Sequence, residues 1–221
     1  MTRSSLPHMR YQVYQPRIPH ASTRSIFKRG LDILGALVGL AILGILLIPV
    51  AIAIRLDSKG PIFYLQQRFG LQGKPFHIIK FRSMVSNADD LKASIKNEAQ
   101  GLIFKNPKDP RITRVGRILR RTSLDEFPQF LNVLRGEMSL VGTRPPTADE
   151  VKHYTTYHWR RLEVRPGITG QWQVSGRSAI KDFEEIVALD LAYQKLWTPI
   201  YDVKLLWMTV MTLLSKQSGA Y

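Results

Sequence analysis

The run Ile33–Ile54, ILGALVGLAILGILLIPVAIAI, holds twenty-two residues without a charge. As a helix rising about 1.5 Å per residue it reaches about 33 Å, enough for the hydrocarbon core of a bilayer. A helix of a soluble core would carry a polar face at this length, and this one has none. The run is too long and starts too far into the chain for a cleaved secretory signal, and no small-x-small site ends it. The segment therefore meets a membrane, and two details bear on how. Pro49 lies inside the run, where its missing N–H removes a backbone hydrogen bond and kinks or breaks a helix. Both flanks are basic, with Arg24, Lys28 and Arg29 before and Arg55 and Lys59 after. The positive-inside rule then asks for both ends on the cytoplasmic side. A helix broken at Pro49 that dips into the bilayer and returns satisfies both details. A kinked single span with a weak orientation signal is the other reading, and the sequence leaves the two open.

The remaining charge narrows the partners. Against 17 acidic residues stand 32 Lys and Arg, a net charge of +15 over 221 residues, which favours anionic partners: nucleic acid, phospholipid or phosphorylated substrates. A hydrophobic content of 44% with 22% charged residues excludes a disordered chain. The absence of cysteine excludes disulfides, thiolate metal sites and cysteine nucleophiles.

Three regions are expected: a basic irregular lead-in over residues 1–25, the membrane helix over 26–57, and one catalytic domain over 58–221. In that domain Ile62–Leu65 and Phe76–Phe81 are β-prone and flank a Gly- and Pro-containing loop, which predicts a hairpin. Helices are expected over 87–100, around Ile112–Leu119, through Phe127–Leu134 up to Gly136, over 147–162 and 182–196, and over 203–214. The last is too short to span and suits the membrane interface. The spacing of Ser123 and Glu126 predicts a capping box. Residues 165–170 and 174–177 read as loops. Trp159, Trp172, Trp197 and Trp207 fit either an interfacial belt or ordinary packing. The fold class is mainly α with a small β-hairpin, α+β.

The adjacent acids Asp125 and Glu126 follow Arg120 and Arg121 at an expected helix start. Acids in a first helical turn are common for structural reasons alone. The same surroundings also keep a carboxylate ionised and attract phosphate. Such a carboxylate can bind Mg²⁺ or attack phosphorus to form an acyl phosphate. Arg111, Arg114, Arg117, Arg120 and Arg121 form a band that drifts round a helix, and it fits a solvated or lipid-facing surface equally well. Arg144, before Pro145-Pro146, is suited to bidentate phosphate binding, and Lys80 and Arg82 could add charge to the same site. No P-loop and no GxGxxG motif is present, and His153 and His158 lack a third zinc ligand nearby.

Five stretches carry a family resemblance: Lys28-Arg29-Gly30-Leu31-Asp32, Lys80-Phe81-Arg82-Ser83-Met84, Thr122–Gln129 (TSLDEFPQ), Gly136–Pro146 (GEMSLVGTRPP) and Arg165–Gly170 (RPGITG). From about residue 26 to its end the chain resembles the bacterial sugar transferases, the small monotopic phosphoglycosyl transferases. The resemblance implies transfer of a hexose-1-phosphate from a UDP-sugar to undecaprenyl phosphate with release of UMP, and a requirement for Mg²⁺. It implies Asp125 as nucleophile and metal-binding carboxylate, Glu126 as its partner, and Arg120 and Arg144 as phosphate binders. It implies a re-entrant helix, broken at Pro49, packed on a catalytic domain at the cytoplasmic face of the bacterial inner membrane. Thr143 stands where the family's Pro-Arg-Pro element has its first proline, and Ile48 where a serine often precedes the helix-breaking proline. The Thr143–Pro146 variant points to UDP-glucose or UDP-galactose and to exopolysaccharide, capsule or O-antigen synthesis. The chain is expected to lie close to the minimal catalytic unit, and a homo-oligomer is left open. The rival readings are a non-catalytic membrane-tethered partner of a glycan assembly complex, which the intact acidic pair and Arg144 oppose, and a nucleic-acid binder. The latter lacks a recognition helix or a stacking platform, so nucleic acid is not expected as a partner.

Overall fold

Ser25 starts the apolar helix. It adopts an extended backbone and its side chain accepts a hydrogen bond from Lys28 N, satisfying one of the free donors of the first turn. Helix α2, Ile26–Asp57, follows the short helix α1, Ala21–Arg24. These coordinates are a computed structural model that describes residues 19–176 and 179–214; most of the basic lead-in, and Arg177, lie outside the described residues. Helix α2 is the one helix among the described residues long and apolar enough to cross a membrane. It runs uninterrupted through Pro49, which corrects the expected break. One proline removes only one backbone hydrogen bond, and the flanking Leu47 and Val50 are held against the domain.

The way α2 docks organises the molecule. Lys28, Asp32, Ala36, Gly39 and Ile54 are buried, and Leu43, Leu47 and Val50 pack inward between them. Steps of three and four residues put all of these on one face. The opposite face exposes Leu34, Leu37, Ile45, Ile48, Ile52 and Leu56. Gly39 lets the helix approach closely, because a Cβ there would run into the ring of Phe130.

Both ends of α2 are pinned to the same body. At the N-terminal end Lys28 Nζ donates to Asp202 Oδ2 (2.7 Å) and to Val141 O (2.8 Å). Arg29 donates to the carbonyls of Val133 and Leu134 in the last turn of helix α4, Phe130–Arg135. Asp32 Oδ1 accepts from Ser139 Oγ and Leu140 N, both at 2.8 Å. At the C-terminal end Ile54 packs with Phe81 and Leu119, and Asp57 Oδ2 accepts from Val115 N (2.8 Å).

The rest of the domain is mixed and mostly helical. Strands β1, Phe63–Phe69, and β2, Pro75–Phe81, form the expected hairpin, with Phe63 opposite Phe81 and Phe69 opposite Pro75. Helix α3, Arg114–Arg121, leads through a 3-10 turn, Leu124–Gln129, into α4, which Gly136 ends in the left-handed conformation (φ 80°). Strand β3, Ser139–Val141, pairs in parallel with β4, Gly167–Thr169, so the expected loop at 165–170 contains a strand. Helices α5, Ala148–Val151, and α6, Thr156–Trp159, lie between them; α7, Gln171–Val174, α8, Phe183–Leu196, and α9, Pro199–Leu214, complete the described chain.

Several expected elements differ. Residues 87–100 form turns and a 3-10 segment, Lys92–Ser94, in place of an α-helix. Asn97 takes the backbone's hydrogen bonds instead, accepting from Ala99 N and Lys105 N and donating to Ile103 O. The helix expected over 147–162 is split because Thr155 and His158 form a capping box that starts α6 anew. The expected capping box does not form: Ser123 is left-handed (φ 56°) and its side chain makes no cap bond. Trp159 and Trp172 are buried, so no four-tryptophan belt exists; Trp207 is exposed, on the same face of α9 as Ile200, Val203 and Val210.

Asp202 also accepts from Tyr193 Oη and Trp197 Nε1, so its loss would leave the buried Lys28 without its counter-ion and remove an acceptor from two further donors. Asp202→Ala is expected to lower stability by about 3–5 kcal/mol, to be read from thermal unfolding of the detergent-solubilised protein.

Candidate active site

The sequence-predicted residues arrive from four separate pieces of backbone. The hairpin supplies Lys80 and Arg82 at the end of β2, and α3 supplies Arg120 and Arg121 in its last turn. The 3-10 turn holds Asp125 and Glu126, and the segment leaving β3 carries Arg144. Lys80, Arg120, Asp125, Glu126 and Arg144 line one cavity of about 560 Å³. Asp125 is buried, with 7% of its surface exposed. Glu126 Oε1 accepts from Lys80 Nζ at 2.9 Å, with both side chains about three-quarters buried.

Two predicted cations are placed differently. The guanidinium of Arg82 donates to the carbonyls of Lys59 (2.6 Å) and Ser58 (2.7 Å), so it clamps the chain leaving α2, although it also borders the cavity. Arg121 is exposed and lies outside the residues lining the cavity. Of the arginine band, Arg114 and Arg117 are exposed, while Arg111 is buried on Asp109 with an Nη2–Oδ2 distance of 2.6 Å.

Arg144 is held in a two-pronged grip. Its Nη1 and Nη2 donate to Glu150 Oε2 (2.8 Å) and Oε1 (3.0 Å). Glu150 sits in the first turn of α5, where Thr147 accepts from its N–H. Behind the pair, the fully buried Arg161 binds Asp190 at 2.6 Å and donates to Tyr154 Oη at 2.6 Å. Thr143 Oγ1 donates to Arg161 O, tying the segment before Arg144 to the same support. Glu150 and Arg161 carry no local signal in the sequence, and Asp190 and Asp202, which read there as isolated surface or capping acids, are buried ion-pair partners; each pair joins residues that meet only on folding.

Arg68 on β1 is the other cation missed. It donates to Gln66 Oε1 and to Pro145 O, both neutral acceptors, and lines the cavity beside Arg144. Burial, with the nearby charge of Arg144, lowers its pKa to about 10. An anion binding there would relieve both effects. Glu150 shows the converse. Burial pushes its carboxyl up, but Arg144, Arg68 and Arg161 together hold it below the usual value.

Among the described residues no group of three acidic or histidine side chains gathers as a metal cage. Asp125 and Glu126 do supply adjacent oxygen donors at a cavity wall. That suits Mg²⁺, which is commonly held by one or two carboxylates with substrate phosphates and water completing its shell.

With this geometry in view, comparison with known proteins defines the class. Residues 23–216 match the family described as bacterial sugar transferase. The chain belongs to that family, a family of transferases. It is 49% identical over 191 residues to the galactosyl transferase CpsE of Streptococcus agalactiae, covering 86% of this chain and 42% of that protein. It is 42% identical to the undecaprenyl-phosphate galactose phosphotransferase of Salmonella typhimurium, covering 88% and 41%. A shorter relative, the exopolysaccharide production protein ExoY of Sinorhizobium fredii, is 39% identical with 84% of each chain covered. The chain thus spans about two fifths of the longer relatives and most of the shorter one.

Because Glu150 is held below its unfolded value of 4.5, its contribution to stability is present above that pH and is lost as pH falls through the lower folded value. Glu150→Gln is expected to destabilise the protein at neutral pH by about 1–3 kcal/mol. The gap to the unmutated protein should narrow between about pH 5 and pH 3, as thermal melts across that range would record.

Proposed function

We propose that this chain transfers a hexose-1-phosphate from a UDP-sugar to undecaprenyl phosphate and releases UMP. It does so at the cytoplasmic face of the bacterial inner membrane, at the first step of an exopolysaccharide, capsule or O-antigen. The observation that carries the reading is the placement of the acidic pair: Asp125 and Glu126 wall a cationic cavity in a domain that also docks a helix with an exposed apolar face. Both substrates carry phosphate and one is a lipid, which matches both halves of that arrangement.

The first step is attack by an Asp125 carboxylate oxygen on the β-phosphorus. The bond from that phosphorus to the bridging oxygen breaks, UMP leaves with the oxygen, and the sugar phosphate is held as an acyl phosphate on Asp125. In the second step a phosphate oxygen of undecaprenyl phosphate attacks the same phosphorus. The carboxylate is regenerated and the sugar remains on a lipid diphosphate. Arg68, Arg120 and Arg144 bind the phosphates and stabilise the charge that develops on them. Lys80 orients Glu126 beside the nucleophile, and Glu150 fixes the Arg144 fork for bidentate contact. Mg²⁺, held by Asp125 with Glu126, would neutralise diphosphate charge.

Helix α2 lies in one leaflet in this reading, its outer face in lipid and both ends on the cytoplasmic side. The support is mechanical. About 40 Å of helix docks to one domain from Lys28 to Ile54, and a perpendicular span would draw that domain's polar surface into hydrocarbon.

Asp125→Asn is expected to lower UMP release by at least about a thousandfold without changing the melting temperature by more than a few degrees. Normal turnover would remove Asp125 from the nucleophile's role. The native chain has no cysteine, so Arg24→Cys and Lys59→Cys report topology cleanly. Both should react with an impermeant maleimide from the cytoplasmic side only, and labelling from opposite sides would refute the one-leaflet disposition.

A further inference from the structure

Buried side-chain polar atoms without a hydrogen-bond partner are uncommon in folded chains. Here three of them gather in one place. Gln129 Nε2, Trp172 Nε1 and Gln173 Oε1 are buried with no partner among the described residues, and all three residues line a second cavity of about 180 Å³. Gln129 and Trp172 are themselves 2% and 9% exposed. Arg82 and Asp190, which also carry orphan atoms, lie outside this wall.

The small cavity adjoins the large one, since Lys80, Glu126, Arg144 and Trp172 belong to both walls. Its three orphan atoms come from two elements, the turn that carries the acidic pair and helix α7. Two donors and one acceptor, held in place by burial, call for a compact neutral group with acceptors and a donor on its edge. A buried polar group without a partner is unfavourable, and a ligand that provides the partner removes that penalty. The hydroxyls of a pyranose each donate and accept, so a hexose can meet all three.

Position separates the parts of a nucleotide-sugar. The wall contains Glu126 and Lys80, next to the carboxylate proposed to attack phosphorus. The group bonded to the attacked phosphorus is the hexose, whereas the uracil is separated from it by the ribose and the α-phosphate. We infer that the 180 Å³ cavity is the hexose subsite, and that Gln129, Trp172 and Gln173 read the sugar's hydroxyls. The inference rests on the phosphosugar-transfer reading above and assigns its sugar selectivity to these three side chains. The edge of a uracil fits the same donors and acceptor, and it is the rival that the experiment must separate.

The test uses the full chain in lipid nanodiscs with three conservative variants. Trp172→Phe keeps a ring and removes the donor, Gln129→Glu turns the donor into an acceptor, and Gln173→Ala removes the acceptor. Circular-dichroism melts establish which variants are folded. UMP release gives kcat/KM for UDP-glucose and UDP-galactose, and added UMP gives an inhibition constant. Each folded variant is expected to lose about tenfold in kcat/KM and to change the ratio between the two epimeric donors, with the UMP constant unchanged. A merely structural role would not move that ratio. Weakening of UMP binding in step with kcat/KM would assign the cavity to the base and overturn the inference. So would an unchanged kcat/KM and donor ratio in the folded variants. If the unmutated protein releases no UMP from either donor, the transfer reading itself fails, and calorimetry with glucose 1-phosphate and galactose 1-phosphate then decides the subsite. Binding about tenfold weaker in Trp172→Phe supports it, and equal binding overturns it.

Discussion

Lys28 and Asp202 meet where almost no water reaches, 2.7 Å apart, with Tyr193, Trp197 and the Val141 carbonyl around them. Much else depends on that pair. A buried charge without a partner is prohibitively costly, so α2 must begin where α9 places Asp202. From there the helix runs along the domain, with Gly39 against Phe130, and ends where Ile54 packs on Phe81 and Leu119. Phe81 closes the strand that carries Lys80, and Leu119 precedes Arg120 in α3. The apolar helix and the cationic cavity are thus parts of one packed unit.

The same logic explains the basic residues. A surplus of fifteen positive charges first reads as a diffuse attraction to anions. In the folded chain these cations divide by partner. Lys28, Arg29 and Arg82 bind buried acceptors and hold α2 in place. Arg161 supports the segment carrying Arg144. Arg68 and Arg144 line the cavity, and Arg68 has neutral acceptors and a pKa lowered by burial and by its neighbour's charge. Placing two guanidinium groups together in a buried wall is unfavourable unless anions complete them; Glu150 does this for Arg144, and the phosphate of the proposed substrate would do it for Arg68.

Legibility of the sequence varied with the range of the interaction. The hairpin, α3, the Gly136 stop and α8 were read correctly because periodicity and turn chemistry act within a few residues. The acidic pair could be named from motif and composition, and of the five cations named with it four, Lys80, Arg82, Arg120 and Arg144, line the cavity, yet nothing local separated Arg82 from Lys80. The helix expected over 87–100 failed because Asn97 competes for backbone hydrogen bonds across a loop. The strand at Gly167–Thr169 was invisible because its partner at Ser139–Val141 lies almost thirty residues away. Glu150 and Arg68 were missed, and Asp190 was read as a surface or capping acid, for the same reason: their partners are assembled by folding.

By itself the sequence determined that an uncharged helix about as long as a bilayer is thick begins a basic chain, and that an acidic pair follows two arginines. These are properties of composition and spacing, which local physics reads directly. The tertiary structure alone decided that both ends of that helix join one domain and that Pro49 does not interrupt it. It alone chose which arginines are structural and which line the cavity, and it brought three residues that carry orphan polar atoms to the wall of a second pocket. Those outcomes turn on burial and on partners distant in sequence, where the cost of an unpaired charge or donor is settled only when the chain closes around it.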